Sequence, residues 1–242
     1  MSLQNKVAVV TGAAGGLGAA VADHLGSAGA RVIRADRSFS DDDWPDRVAL
    51  DVADAASWDR FAARVREQAG RLDILVNNAG ISMRTDVVGT ADEDFARVMR
   101  VNVWGVWRGI KTFADDLTAT GGCVVNVGSI YGVTTAPVSD VSPSSVAYQA
   151  SKAAVHQVTK VAAVELAPRG VRVNAVLPGV FRTGLLADLP PDELQVRVGG
   201  APLGRPGDTA ELGPVVALLA GPGASFITGA LIPVDGGYLA AS

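Results

Sequence analysis

The sequence predicts an α/β protein built on one doubly wound parallel sheet of about seven strands, with helices on both faces. Two observations carry this prediction. Short apolar, β-branched runs recur along the chain, and stretches with helical spacing lie between them. Runs that are apolar at every position are typical of strands buried on both faces, as in parallel sheets covered by helices. The alternation of strand and helix also requires right-handed crossover connections.

The predicted strands are residues 7–10, 31–35, 48–50, 74–76, 123–127, 171–176 and 231–234. The predicted helices are residues 17–27, 57–69, 92–117, 148–166 and 209–220. In doubly wound sheets, ligands bind in the crevice outside the carboxyl ends of the strands. We therefore expect the functional residues in the loops that follow the strands, with two Pro/Gly/Ser-rich stretches, 133–145 and 189–207, at the substrate mouth.

Length and composition limit the possible functions. The chain has 242 residues, 48% of them hydrophobic, and a formal net charge of −4. This size favours a single domain spanning residues 1–242, because domains seldom grow beyond about 250–300 residues. Without a basic tract, neither nucleic acid nor an anionic membrane surface is an expected partner. A small-molecule substrate is the better expectation.

Cysteine and histidine are scarce, since the chain contains only Cys123, His24 and His156. This set allows no internal disulfide and no Cys/His metal cluster, so we predict no metal site. No apolar run has the length of a membrane span, and the first residues do not form a signal peptide. A cytoplasmic location is therefore expected.

The first strand is followed by a glycine-rich turn, residues 11–18, with the sequence TGAAGGLG. Glycines let the backbone approach a pyrophosphate, whose charge is stabilised by N–H groups at a helix N-terminus. The predicted phosphate-binding residues are Gly12, Gly15, Gly16, Leu17 and Gly18. Asp36, at the end of the second strand, can accept hydrogen bonds from the adenosine ribose and repel a 2′-phosphate, which favours NAD over NADP.

The spacing Thr-Gly-x-x-x-Gly-x-Gly resembles the short-chain dehydrogenase/reductase (SDR) family rather than the general dinucleotide fingerprint. The resemblance extends over nearly the whole chain, from Thr11 to the Asp-Gly-Gly at 235–237. In the family, NADP-dependent members often carry a basic residue where this chain has Gly15, so NAD is favoured again. Arg37 favours NADP instead, because a guanidinium beside the ribose could pair with the 2′-phosphate.

The resemblance implies further contacts with a nicotinamide dinucleotide, in the arrangement of a Rossmann fold. Asp51 and Val52 would lie on either side of the adenine ring. The Asn-Asn-Ala-Gly turn would lie along the cofactor ribose, and the segment that begins with the Pro-Gly turn would contact the nicotinamide. These contacts are Asp51, Val52, Asn78, Ala79, Gly80, Pro178, Gly179, Val180 and Thr183. Asp51 could equally cap a helix.

Tyr148 and Lys152 are the predicted acid–base pair. Because they are four residues apart on a helix, their side chains lie on one face and can reach the same ligand. A neighbouring ammonium group and a positive nicotinamide ring can lower the pKa of a phenol from its usual value of about 10. In the family, the matching residues are the catalytic tyrosine and the lysine that also holds the cofactor ribose.

Ser129, after the fifth strand, is the predicted partner of Tyr148. Its hydroxyl can hydrogen-bond the reacting oxygen and stabilise charge that develops there. Residues 126–129 match the family pattern, but the interval from Ser129 to Tyr148 is longer than in the family and implies an insertion within 133–145. The other hydroxyls there remain alternatives or assistants: Thr135, Ser142, Ser144 and Ser145.

Asn102 lies inside the predicted helix 92–117, where a buried amide needs hydrogen-bond partners. The resemblance implies that it bends the helix and holds a water that links Lys152 to solvent. The alternative is a core asparagine satisfied by backbone groups. His156, one turn beyond Lys152, is expected to be a packed or solvated helix residue.

The sequence therefore predicts an NAD-dependent oxidoreductase that transfers hydride between a nicotinamide cofactor and a secondary alcohol or ketone. Its catalytic residues would be Asn102, Ser129, Tyr148 and Lys152, and residues 185–207 would form the substrate loop. One alternative is an NADPH-dependent biosynthetic ketoreductase similar to 3-oxoacyl reductases, supported by Arg37. Another is a dinucleotide-binding redox sensor without catalysis, which would be expected to lack the residue matching Tyr148 or Lys152. The family resemblance implies a homotetramer or homodimer.

Overall fold

The computed structural model describes residues 2–40, 47–138, 145–184 and 191–242, with the backbone only at 191–193 and 195. Its central feature is a seven-stranded parallel sheet, which confirms the predicted fold class. The strands are β1 (Val7–Thr11), β2 (Arg31–Asp36), β3 (Arg47–Ala49), β4 (Ile74–Asn77), β5 (Cys123–Val127), β6 (Arg172–Pro178) and β9 (Leu231–Val234).

The strand order is β3-β2-β1-β4-β5-β6-β9. The direction in which the chain adds strands therefore reverses between β1 and β4, and this reversal opens a crevice at the carboxyl ends of the strands. Two very short strands, β7 (Phe181–Arg182) and β8 (Gly207–Asp208), pair with each other outside the main sheet.

The helices cover the sheet on both faces. They are α1 (Gly16–Ser27), α2 (Ala55–Ala69), α3 (Asp92–Met99), α4 (Gly105–Thr120), α5 (Val146–Leu166), α6 (Pro191–Val198), α7 (Gly213–Ala220) and α8 (Tyr238–Ala241). Within the described part of the chain, no helix is both long and apolar enough to cross a bilayer.

Alternate residues of β1 face two separate cores. Val7 and Val9 pack with residues of α2, α4 and α5, whereas Ala8 and Val10 pack with residues of α1 and α7. Because side chains alternate along a strand, both faces must be apolar when helices cover both. This is the physical reason that the strands are uninterrupted apolar runs.

The predicted helix 92–117 is divided into three segments, which corrects that prediction. A π-helical turn, Arg100–Trp104, separates α3 from α4. Such turns contain one extra residue per hydrogen-bonded loop and are frequent at functional sites. The predicted helix 209–220 likewise begins as a 3₁₀ turn, Thr209–Glu211, before α7.

Candidate active site

A cavity of ≈ 520 Å³ lies along the carboxyl ends of the central strands, at the point where the strand order reverses. It joins the glycine-rich turn at one end to α5 at the other. Of the predicted site residues, the cavity is lined by Gly12, Gly15, Gly16, Leu17, Gly18, Asp36, Asn78, Ala79, Gly80, Ser129, Tyr148, Lys152, Pro178, Gly179, Val180 and Thr183. Residues far apart in sequence thus share one ligand-sized space.

The glycine-rich turn is shaped to accept an anion. Gly12 and Gly16 have φ of +67° and +57°, which side-chain-bearing residues rarely adopt. Gly15 is the N-cap of α1 but supplies no side-chain hydrogen bond, and the first turn of the helix has no acidic residue. The first N–H groups of a helix need an external partner, and a phosphate suits them. The turn therefore fits a dinucleotide.

Thr11 and Asn78 fix the conformation of this turn. The Thr11 hydroxyl oxygen accepts hydrogen bonds from the N–H groups of Asn78 and Ala79, at 3.0 and 3.1 Å. In return, Asn78 Nδ2 donates to the carbonyls of Thr11 and Gly12, at 2.9 and 3.1 Å. The Asn78 side chain is thus engaged in holding the first and fourth strand ends together, a function that the sequence did not reveal.

Asp36 lies at the far end of the cavity with its carboxylate fixed. It accepts hydrogen bonds from the Ala14 N–H at 3.3 Å, the Ser38 N–H at 3.0 Å and the Ser38 hydroxyl at 2.9 Å. A carboxylate has about four lone-pair sites, so further acceptor capacity remains for ribose hydroxyls. This placement agrees with the predicted position of Asp36.

Arg37, Asp51 and Val52 do not line this cavity. Arg37 and Asp51 line a separate cavity of ≈ 310 Å³. Val52 is 8% exposed and packs in the core, where its carbonyl accepts a hydrogen bond from the Trp58 indole. The N-cap of α2 is Asp54, so the alternative interpretation of Asp51 as the cap of this helix is wrong.

Lys152 is buried at the catalytic end of the cavity. Its Nζ donates a hydrogen bond to the Val127 carbonyl at 2.7 Å and lies 5.6 Å from the centre of the Tyr148 ring. Burial lowers the pKa of Lys152 to about 8, because a buried ammonium loses its hydration.

The pKa of Tyr148 is raised in the ligand-free chain, because burial disfavours the phenolate more than the Ser129 hydrogen bond favours it. The lowering expected from Lys152 is therefore absent without a ligand.

Ser129 is oriented by the turn that follows it. The chain forms a 3₁₀ turn, Ile130–Gly132, and the Ser129 hydroxyl oxygen accepts a hydrogen bond from the Tyr131 N–H at 3.1 Å. The Ser129 hydroxyl also acts on the Tyr148 phenol, since its hydrogen-bonding contribution lowers the pKa of Tyr148 against the effect of burial. The two hydroxyls predicted to share a reacting oxygen are therefore adjacent.

The alternatives to Ser129 are placed differently. Thr135 is exposed and does not line the cavity, and Ser142 and Ser144 lie outside the described residues. Ser145 does line the cavity, just before α5, with a φ of +58°. Among the described candidates, only Ser129 contributes to the pKa of Tyr148.

Asn102 lies in the π-helical turn and is fully buried. Its Oδ1 accepts from the Ile81 N–H at 2.8 Å, and its Nδ2 donates to the Ile81 carbonyl and to the Ser151 hydroxyl, both at 2.9 Å. Ser151 in turn donates to the Tyr148 carbonyl at 2.7 Å. Asn102 therefore does not line the cavity but is connected through Ser151 to the helix that carries Tyr148.

Besides the predicted site residues, the cavity is lined by both apolar and polar groups. Its apolar lining includes Ile81, Ala136 and Phe181, and its polar lining includes Ser82, Arg84, Ser145, Gln149 and Arg197. Ala136 and Ser145 come from the stretch 133–145, and Arg197 comes from the predicted substrate loop 185–207. Tyr131 and Gln149 also line the cavity but were missed from the sequence. Their only signal was proximity to Ser129 and Tyr148.

In the described part of the chain, no three His, Cys, Asp or Glu side chains are grouped as metal ligands would be. The site as described includes the glycine-rich turn, the Asp36 carboxylate, and a Ser–Tyr–Lys group in which Ser129 and Lys152 are buried and Tyr148 is partly exposed.

Fold and cavity together define a Rossmann-type α/β protein of the oxidoreductase class. Residues 12–239 match a family model described as enoyl-(acyl carrier protein) reductase. Galactitol 2-dehydrogenase (L-tagatose-forming) of Cereibacter sphaeroides is 36% identical, over 98% of this chain and 96% of that protein. The chain belongs to the short-chain dehydrogenase/reductase family of oxidoreductases, which confirms the resemblance seen in its motifs.

Solved structures agree with this assignment. A short-chain type dehydrogenase/reductase from Mycobacterium marinum superimposes with a TM-score of 0.89 at 33% identity, covering 98% of this chain and 96% of that one. A 3-ketoacyl-(acyl-carrier-protein) reductase from Brucella melitensis, complexed with NADH, gives a TM-score of 0.86 at 31% identity, covering 98% and 99%.

Proposed function

We propose that the protein is an NAD-dependent oxidoreductase that interconverts a secondary alcohol and its ketone. The observation that carries this proposal is the meeting of two features in one cavity. At one end, the glycine-rich turn and Asp36 suit a dinucleotide; at the other, Ser129 and Tyr148 line the cavity beside the buried Lys152.

The preference for NAD is supported by the charge at the adenosine end. Asp36 is the acidic side chain that lines the described part of the cavity, Gly15 contributes no basic side chain there, and the neighbouring Arg37 lines a different cavity. A 2′-phosphate would be repelled by the Asp36 carboxylate, whereas ribose hydroxyls can donate to it. The relative with NADH bound is consistent with this assignment.

The chain's own groups would move the proton. When bound, the nicotinamide cofactor accepts or supplies the hydride at the carbinol carbon. During oxidation, the phenolate oxygen of Tyr148 takes the proton from the alcohol oxygen as the carbon–oxygen double bond forms. Ser129 donates a hydrogen bond to the same oxygen and stabilises its charge. In the reverse direction, Tyr148 returns the proton to the ketone oxygen.

Lys152 and Asn102 would support Tyr148 in different ways. Lys152 would hold the cofactor ribose and, in the complex, favour the phenolate by its charge. Asn102 holds the backbone beside Tyr148 through Ser151, and Gly80 leaves the space between Asn102 and Lys152 open, since a Cβ there would lie 3.3 Å from Asn102 Oδ1 and 3.7 Å from Lys152 Nζ. The proton relay through Asn102 remains part of this proposal.

The cavity supports a small substrate. Apolar side chains in the cavity lining suit the carbon skeleton of an alcohol, and polar groups in the same lining suit additional oxygens. One relative, galactitol 2-dehydrogenase, is named for galactitol, an alcohol that carries several hydroxyl groups. We therefore propose a neutral secondary alcohol or ketone as the substrate class.

An NADPH-dependent ketoreductase is the second candidate; the 3-ketoacyl-(acyl-carrier-protein) reductase among the relatives favours its substrate class but, with NADH bound, does not favour NADPH. Its supporting residue was Arg37, which lies in the lining of a different cavity. A redox sensor without catalysis is less well supported, because Ser129, Tyr148 and Lys152 are all in place.

We further propose a cytoplasmic homotetramer or homodimer of a single-domain chain. Apolar side chains on α4, α5 and the C-terminal segment are exposed, including Trp107, Val164 and Phe226. Large exposed apolar groups of this kind mark interfaces between subunits. Analytical ultracentrifugation would decide the oligomeric state.

The test of the proposed function is turnover of a panel of secondary alcohols with NAD, measured for the wild type and for Tyr148→Phe. We expect turnover of at least one alcohol by the wild type and a loss of about a hundredfold or more in the variant, because a general acid–base group contributes about 10²–10⁴-fold. Equal turnover by both proteins would contradict the assignment of Tyr148.

A further inference from the structure

His156 lies directly beneath the loop that carries Ser129. It is on α5, one turn beyond Lys152, and only 5% of its surface is exposed. A Cβ on Gly128 would lie 2.6 Å from His156 Nε2, and a Cβ on Gly132 would lie 2.5 Å from its Cε1. The loop can therefore pack directly against the imidazole only because both of its end residues, Gly128 and Gly132, are glycines.

The imidazole is also hydrogen-bonded to this loop. The Ser129 N–H donates to His156 Nε2 at 3.5 Å, and the Gly132 backbone hydrogen-bonds the ring on its other side. Nε2 can accept a hydrogen bond only when it carries no proton, so the ring must be neutral with its proton on Nδ1. One ring thus contacts both ends of the loop.

The surroundings of His156 favour this neutral form. Burial lowers its pKa to about 4, and the positive charges of Lys152 and Lys160 act in the same direction. The neutral ring is therefore the form present near neutral pH.

Ser129 is consequently held from two sides. His156 fixes its backbone N–H from below, while the Tyr131 N–H fixes its hydroxyl oxygen at 3.1 Å. The side chain of Ser129 is left to point its hydroxyl towards Tyr148. A displacement of about 1 Å in such a group can reduce a rate by about a hundredfold, so the support beneath Ser129 has catalytic consequences.

We propose that His156 is a positioning residue for Ser129. It does not line the cavity, and among the described residues it acts on the site through the Gly128–Gly132 loop rather than by contact with substrate or cofactor. The catalytic part of this inference rests on the proposed function, whereas the contact between His156 and Ser129 can be tested without turnover.

The activity test is a double-mutant cycle with His156→Leu and Ser129→Ala. In the wild-type background, we expect His156→Leu to lower kcat about tenfold or more while the Kd for NADH changes less than about twofold. In the Ser129→Ala background, the same change should lower kcat by less than about twofold, because the group that it positions is gone. His156→Gln, which retains a hydrogen-bond acceptor, should restore part of the loss.

His24→Leu is the matched control, because it removes the chain's other histidine, which lies on α1, away from the loop. It should leave kcat unchanged. An equal loss from His156→Leu in both backgrounds would mean general destabilisation and would overturn the proposal, as would full activity of His156→Leu.

The second test needs no turnover. Nuclear magnetic resonance of the ligand-free wild type should show His156 as the neutral Nδ1–H tautomer near pH 7 and a protected Ser129 amide hydrogen. A charged ring, the other tautomer or an unprotected amide would overturn the contact even if no variant folded. If the wild type turned over no alcohol or ketone, the proposed function would fail while this spectrum still decided the contact.

Discussion

The side chain of Asn102 pairs with both backbone groups of Ile81, accepting from its N–H at 2.8 Å and donating to its carbonyl at 2.9 Å. This pairing joins the π-helical turn to the segment that follows β4. Through Ser151, the same amide is joined to the Tyr148 carbonyl. The cofactor end and the catalytic helix are therefore held together by one buried side chain.

Replacing Asn102 by Ala should destabilise the protein by about 2 kcal/mol or more, because it leaves the partly buried N–H and carbonyl of Ile81 without their partner. Ser151→Ala removes only the link to Tyr148 and should cost about 1 kcal/mol. Urea unfolding of both variants measures the difference. A larger loss for Ser151→Ala than for Asn102→Ala would show that the Ile81 pairing does not stabilise the fold.

Replacing Asp36 by Ala should shift cofactor preference towards NADP. Removing a carboxylate near a 2′-phosphate relieves a repulsion of about 1–2 kcal/mol at a partly exposed site, which is roughly a tenfold change in the ratio of the two affinities. Fluorescence titration with NADH and NADPH measures this ratio.

Arg37→Ala is the control for this substitution, because Arg37 lines the second cavity. Its effect on the ratio should be smaller. If Arg37→Ala weakened NADPH binding while Asp36→Ala changed nothing, the assignment of the adenosine end would be incorrect.

Two glycines of the phosphate turn should respond differently to the same substitution. A Cβ on Gly18 would collide with the Gly12 carbonyl and with Asn78 Nδ2, whereas a Cβ on Gly15 meets nothing within 4 Å. Gly18→Ala should therefore lower the melting temperature markedly, even though alanine favours helix by about 1 kcal/mol. Gly15→Ala should leave it nearly unchanged. Equal melting temperatures would refute the close packing of this turn.

Stability should decrease on mild acidification because of His156. The unfolded imidazole binds a proton near its usual pKa of 6.5, whereas the folded one does so near 4. Between these values the unfolded state holds more protons, so the free energy of unfolding falls as the pH is lowered from about 6.5 towards 4. His156→Gln should show a smaller fall in urea unfolding over this range. Identical slopes would mean that His156 titrates normally.

The sheet could be predicted because its signal is local. Each strand is an apolar run between turn residues. Both faces of β1 are buried, with Val9 on one and Val10 on the other, so apolar and polar residues do not alternate along it. The two-residue strands β7 and β8 were not predicted, since strands so short carry no periodicity.

The π-helical turn and the lining of the cavity could not be predicted from periodicity. Asn102 reaches a partner 21 residues away, and no local pattern signals that contact. Arg37 and Asp51 follow strands as the other site residues do, but their side chains lie at another cavity because the direction of a loop side chain depends on the path of the loop. His156 was expected to be a packed or solvated helix residue. Only the structure shows the loop lying on its ring.

The measurement that tests the central claim most directly is a fluorescence titration of the purified wild type and Tyr148→Phe with NADH and with NADPH. We expect both proteins to bind NADH, with a Kd about tenfold or more below that for NADPH, a difference of about 1.4 kcal/mol. Binding of neither nucleotide would contradict the assignment of the cavity, and tighter binding of NADPH would contradict the role given to Asp36.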